Sequence, residues 1–339
     1  MRVLVTGTEG YLGSLIAPLL LDRGHEVIGV DTGFYRWGWL CRGPARTPLT
    51  LNKDIRLLDR ADLEGVEAVV HLAELSNDPL GQLSPTITRD INHGGSVHLA
   101  RLAKEAGATR FVYTSSCSVY GVASGTVDED SPTNPLTEYA ICKTLVERDG
   151  GAMADDNFSP TFLRNATAFG ASPRMRFDLV MNNLAGVAWT TGKIKMTSDG
   201  TPWRPLVHAL DIAKAVACAL EAPRDVVHSQ VLNVGDSAQN YQVRDVAETV
   251  ASVFPGCELV FGPSGGDERS YRVSFDRIHD VLPGFSCDWD AKRGAQQLHD
   301  VFQQVDLSDD DFHNRSFTRL EQLQYLLRTE QIDNRFFWA

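Results

Sequence analysis

Three glycines, Gly7, Gly10 and Gly13, stand between a short apolar run, Arg2 to Thr6 (RVLVT), and a stretch from Tyr11 to Arg23 whose apolar residues recur at helical spacing. No other feature narrows the possible folds as far. Gly7 permits a tight turn, Gly10 admits a pyrophosphate against bare backbone, and Gly13 lets the helix pack closely on the strand. The helix N-terminus adds free N–H groups and a partial positive charge, both suited to phosphate. The loop Gly7, Glu9, Gly10, Tyr11, Leu12 and Gly13 is therefore a candidate cofactor cradle.

The rest of the first half repeats this alternation. Runs at Val27 to Val30, Ala68 to Leu72, Arg110 to Thr114 and Thr161 to Arg164 are strand-like and apolar. Gly24 stops the Tyr11 to Arg23 helix, and further helical patterns cover Thr86 to Ala106, closed by Gly107, and Glu138 to Ala154. Apolar strands separated by helices predict a parallel sheet covered on both faces, and right-handed crossovers make it doubly wound: an α/β sheet of Rossmann type. The second half is less regular and rich in Pro and Gly. It carries short strands at Leu206 to His208 and Gln230 to Val234, and helices at Asp211 to Leu220 and Val243 to Phe254. A smaller C-terminal α/β lobe is expected there. The expected division is a cofactor-binding domain over residues 1–165, with main-sheet strands reaching to about 235, and a mainly substrate-binding lobe over 166–339. The stretch Thr32 to Lys53 is expected to be a long loop, whose aromatic run Phe34 to Trp39 packs or covers the site.

Composition excludes several classes. With 43% apolar and 22% charged residues, the 339-residue chain has enough material for a core and is not a disordered protein. Its 32 Lys+Arg against 44 Asp+Glu give a formal charge of −12, which argues against tracking a nucleic acid. A few local arginines could still hold a small anion. No window approaches the ~20 apolar residues of a membrane span. Met1 to Val5 run straight into a strand without a basic leader, so no signal peptide is expected. The six scattered cysteines (Cys41, Cys117, Cys142, Cys218, Cys257 and Cys287) show no metal spacing, which predicts reduced thiols, no metal site and a cytoplasmic protein.

Asp31 follows the second strand. A carboxylate there accepts the adenosine ribose hydroxyls and repels a 2′-phosphate, so NAD is expected over NADP. Capping of the next turn is the alternative, and nearby Arg36 softens the discrimination. Asp54 and Ile55 are candidates for the adenine edge.

Tyr139 and Lys143 lie one helical turn apart and share a face. A phenol with a pKa near 10 is a poor base at neutral pH, but a nearby ammonium and a nicotinamide cation favour the phenolate. Upstream, Thr114-Ser115-Ser116-Cys117-Ser118-Val119-Tyr120-Gly121 follows a buried strand. Residues just past a strand's carboxyl end face the ligand crevice, where a hydroxyl can donate to a substrate oxygen while Tyr139 exchanges its proton.

These segments, with HLAELS (71–76), INHGGSVHLA (91–100), YAICK (139–143) and TPWRPLVHALDIAKAV (201–216), resemble the extended short-chain dehydrogenase/reductase family, in the branch of nucleotide-sugar epimerases and dehydratases. The likeness spans roughly the first 220 residues. It implies that Ser116 is the catalytic hydroxyl, Tyr139 the base and Lys143 its partner and a holder of the nicotinamide ribose. It implies that Leu72, Ala73 and Thr114 pass the cofactor and that Asn92 supports its site. His71 is expected to be a satisfied strand-end histidine. Ser116, Cys117, Ser118, Arg204, Arg272 and Asn182 are implied substrate contacts, with Asn183, Arg174, Arg176 and Arg269 as further candidates. Thr167 stands where relatives often carry Asn.

Dehydratases of this family commonly place Asp and Glu just after the catalytic hydroxyl, and here Cys117 and Ser118 stand instead. Neither is a good general acid for hydroxide loss. An NAD-dependent epimerase acting through a keto sugar is therefore the expected function. Glu74 keeps a dehydratase open, a ketoreductase is a further possibility, and an NAD-binding redox sensor is the non-catalytic alternative. The family often pairs the two long helices into a dimer, so a homodimer is expected.

Overall fold

The computed structural model describes residues 1–76, 78–264 and 270–339. Seven strands form the main sheet: β1 (Arg2–Thr6), β2 (Glu26–Asp31), β3 (Leu49–Asn52), β4 (Ala68–His71), β5 (Arg110–Ser116), β6 (Ser159–Asn165) and β7 (Val231–Val234). All are parallel, in the spatial order β7-β6-β5-β4-β1-β2-β3. Val3, Leu4 and Val5 are fully buried because helices cover both faces. One face packs α1 (Gly13–Asp22) with the helix Ala209–Glu221, and Ile16, Leu20, Ile212 and Val216 join Val3 and Val5 in one core. On the other face Leu99, Ala103 and Val146 pack on Leu4, Val69 and Phe111.

The register levels the carboxyl ends of the strands. Thr6 lies beside both Val30 and His71, His71 beside Tyr113, and Ser116 beside Asn165. The strand order reverses between β1 and β4, and at such a switch point the chain opens a crevice for a ligand.

Three departures from the sequence reading stand out in the first half. The stretch 32–53 is not all loop, since Leu49–Asn52 adds an edge strand to β2. Four half-exposed residues carry no readable period. The helix expected over 86–106 is a composite: Pro85–Arg89, a π-turn at Asp90–Gly95, and Ser96–Ala106. The π-turn turns Asn92 into the core. A helix over Asp78–Leu83 was not anticipated.

The second half adds small sheets. Trp203–His208 pairs with Thr167–Phe169 and Asn240–Gln242, Glu258–Val260 with Lys193–Lys195, and Ser270–Val273 with Val122–Val127. No described helix is long and apolar enough to cross a membrane.

Candidate active site

Gly7 adopts φ +75° and its N–H donates to Val30 O at 2.7 Å. A Cβ on Gly13 would sit 1.9 Å from Gly7 O, so helix and loop touch. A Cβ on Gly10 would meet only Gly7 O and would otherwise project into a cavity of about 620 Å³. That bare backbone is the cradle a dinucleotide requires. The cavity runs past Asp31, Asp54 and Ile55, along Gly7, Gly10, Tyr11, Leu12 and Gly13, past Leu72 and Ala73, to Thr114, Ser116, Ser118, Tyr139 and Lys143. The Asp31 carboxylate accepts from Glu9 N at 3.0 Å and Gly33 N at 2.8 Å, so it caps its turn and faces the cavity as well. Burial raises its pKa while those two N–H groups pull the other way. Asp54 is ion-paired to Arg56 at 2.8 Å. These residues fit NAD.

At the far end, the N-cap Thr137 opens α2 (Glu138–Gly151), the helix that carries Tyr139 and Lys143. The Ser116 hydroxyl acts on Tyr139 to lower its pKa. Ser116 Oγ also accepts from Ser118 N at 3.1 Å, which fixes the hydroxyl at the end of β5. Lys143 Nζ lies 5.4 Å from the centre of the Tyr139 ring and donates to Thr114 O. It pairs with Glu74 Oε2 at 2.7 Å, with both side chains buried. Burial raises the Tyr139 pKa, Lys143 pulls it down, and the Glu74 and Asp78 charges push it up. Burial works to lower the Lys143 pKa, but Glu74 and Tyr139 outweigh it, so the ammonium form is held.

Behind this pair runs a buried chain of polar groups. Tyr113 OH donates to Glu74 Oε1 at 2.5 Å. Ser96 Oγ bonds Asn92 O at 2.6 Å and His71 Nε2 at 2.7 Å, and His71 Nδ1 meets Thr6 Oγ1 at 2.7 Å. Thr6 Oγ1 accepts from Leu72 N and Ala73 N at 3.1 Å, fixing the strand that passes the cradle. Burial pushes His71 down to about 3, so it is neutral, as its strand-end position implied.

Several expected contacts lie elsewhere. Cys117 is in the core, with Sγ at 3.2 Å from Arg164 O, because the turn after β5 points it away from the cavity. Asn182 is spent on Gly170 N and Arg176 O, and Asn183 is exposed. Arg272 is exposed, near the Trp203 ring. Asn92 exchanges two hydrogen bonds with the Leu75 backbone and stays outside the cavity lining, so it shapes the loop. Glu9 reaches the site only through its backbone bond to Asp31. Arg174 stacks on Trp39 at 3.8 Å. Arg176 lines the cavity, paired with Asp178 at 2.8 Å. Arg204 and Thr167 also line it. Arg269 lies outside the described residues.

The sequence reading missed Asn165. It ends β6 on the cavity wall, donates to Ser115 O, and leaves a buried Oδ1 without a partner among the described residues. Its place at the end of a buried strand was the available signal.

The chain belongs to the NAD dependent epimerase/dehydratase family, whose model matches residues 3–235. It is 28% identical over 342 residues to a UDP-glucose 4-epimerase of Bacillus subtilis, covering 88% of this chain and 94% of that one. A UDP-glucose 4-epimerase of Azospirillum brasilense is 31% identical over 279 residues, covering 74% and 77%. Among solved structures, MoeE5 in complex with UDP-glucuronic acid and NAD superposes with a TM-score of 0.78 at 27% identity, covering 91% of this chain and all of that one. The NAD dependent NDP-hexosamine 5,6-dehydratase TunA gives 0.80 at 25% identity, covering 90% and 99%. The cofactor is NAD.

Proposed function

We propose that this chain epimerises a UDP-linked sugar, with Tyr139 as the base. The bound NAD would accept a hydride from the sugar carbon and return it to the other face. Tyr139 takes the hydroxyl proton and gives it back. Ser116 orients that oxygen, and Lys143 stabilises the phenolate. Asn165 Oδ1 and Ser118 Oγ are buried acceptors on the cavity wall, suited to further sugar hydroxyls. Arg204, in the wall, suits the substrate diphosphate.

The observation that carries this reading is that, among the described residues, the acids near Ser116 are engaged with other groups. Cys117 is buried in the core, Ser118 is a hydroxyl, and the Glu74 carboxylate is taken by Lys143 and Tyr113. Asp78 accepts from Thr137 and Asp178 from Arg176. Expelling hydroxide needs a second proton donor, whereas inversion needs only Tyr139, which returns the proton it took. The likeness to TunA favours dehydration as the second reading. Incubation with UDP-glucose in heavy water separates them. Conversion to the 4-epimer without deuterium on carbon supports epimerisation, and a product lighter by one water, with C5 either unsaturated or carrying deuterium, supports dehydration.

We further propose that the first 165 residues and the strands up to about 235 hold the cofactor while the remainder mainly holds substrate. We propose a homodimer through the helices of 86–106 and α2. A monomer by sedimentation at micromolar concentration contradicts that pairing. The cysteines, all unpaired in the structure, fit a reducing compartment.

A further inference from the structure

We propose that the C-terminal segment 315–339 is a clasp over the cofactor cavity, and that its Arg319 binds the diphosphate of the dinucleotide. This rests on the NAD assignment and is independent of which sugar is turned over.

Arg319 is 3% exposed, yet it lines the cavity with Gly10, Asp31 and Tyr35. Its guanidinium lies over the Tyr35 ring at 4.2 Å and donates only long bonds, to Ser316 O at 3.3 Å and Arg174 O at 3.4 Å. Among the described residues no carboxylate comes within ion-pair distance of it. Three other cations of the cavity wall are ion-paired: Lys53 with Asp62, Lys143 with Glu74 and Arg176 with Asp178. A buried guanidinium without a counter-charge is costly. The cost is raised by its position as the first residue of the helix Arg319–Arg328, where the macrodipole disfavours a cation. Burial, aided by Arg176, pushes its pKa down to about 10. A dinucleotide diphosphate supplies the missing charge and matches the guanidinium fork.

The same segment fastens the cavity's borders. Gln322 Nε2 donates to Phe34 O at 3.0 Å and Trp338 Nε1 to Thr32 O at 2.6 Å, so the loop after Asp31 hangs from the tail. Leu323, Leu326 and Phe336 share an apolar cluster with Phe34, Leu75 and Ile91, which all line the cavity. An enzyme that returns its hydride within each turnover regenerates its cofactor and has no need to release it. A closed clasp suits that chemistry.

The test uses the full-length chain and its Arg319→Met, Arg319→Lys and Trp338→Phe variants. The readouts are NAD retained through purification, NAD affinity and release rate, UDP affinity, and melting with and without NAD. NAD-free Arg319→Met is expected to melt at or above the parent, since an apolar side chain of similar length replaces an unpaired buried charge. Its NAD affinity is expected to fall about 10- to 100-fold, as for a lost charge-assisted hydrogen bond. Arg319→Lys should recover part of it, and Trp338→Phe should release NAD several-fold faster. Parental NAD affinity in folded Arg319→Met overturns the proposal. So does a loss of UDP affinity with NAD binding intact, which assigns Arg319 to the substrate. Should Arg319→Met not fold, parental NAD release in both other variants overturns it. A parent that binds no NAD removes the cofactor assignment itself.

Discussion

Glu74 Oε2 lies 2.7 Å from Lys143 Nζ, and both side chains are buried. The lysine that supports the phenolate is thus itself held by a carboxylate from the loop after β4. Lys143 faces Glu74, the Tyr113 and Tyr139 rings and Thr114 O. Its position is set from three elements.

Glu74→Gln should therefore lower kcat about tenfold or more, part of the roughly 10²–10⁴ that a positioned acid–base group contributes. The Glu74 charge raises the Tyr139 pKa. Removing it lowers that pKa, so the limb of the rate profile that rises with pH should move to lower pH. An uncompensated buried ammonium should also cost on the order of 3 kcal/mol in stability. A kcat–pH profile matching the parent's would show that Glu74 only packs.

Acid stability should depend on His71. Its folded-state pKa is pushed down to about 3 by burial, with Lys143 adding to the effect. The unfolded chain takes up a proton at this residue near pH 6.5, whereas the folded chain does so only near 3. The His71 contribution is therefore fully present above pH 6.5 and is lost as pH falls toward 3, at up to about 1.4 kcal/mol per pH unit. Urea melts between pH 4.5 and 6.5 should show a slope smaller by up to one proton in His71→Gln. An unchanged slope contradicts a neutral buried imidazole.

Cys117→Ala should leave kcat and KM within about twofold while costing roughly 1–2 kcal/mol, because the thiol is buried in the core and meets only Arg164 O and Asn233. A large loss of kcat in a variant that still folds would return Cys117 to the chemistry.

Asn165→Ala removes a cavity acceptor and should raise KM for the sugar nucleotide about tenfold with a smaller change in kcat, the effect of one unmade hydrogen bond. Substrate titration against the parent decides it. An unchanged KM assigns Asn165 to the strand alone.

The cradle and the Tyr139–Lys143 pair were legible because they rest on local rules. A glycine loop between a periodic strand and helix, and a one-turn spacing on a helix, are written in consecutive residues. What escaped was set at long range. Cys117 and Ser118 are neighbours, yet the 3₁₀ turn sends one to the core and the other to the cavity. Arg272 sits on a short strand whose exposed face depends on its partner Val122–Val127. The π-turn at Asn92 has no compositional signature, and the Leu49–Asn52 edge strand exists because β2 offers it an open edge. The Glu74–Lys143 pair joins residues far apart in sequence, and the tail reaches the cavity through long-range packing, in part on the loop after Asp31.

Epimerisation by Tyr139 is tested most directly by Tyr139→Phe, assayed with NAD and UDP-glucose. Turnover should fall by at least about 100-fold, the scale of a lost general base, while NAD affinity and melting stay near the parent's. Undiminished conversion in that variant would contradict the role given to the phenol.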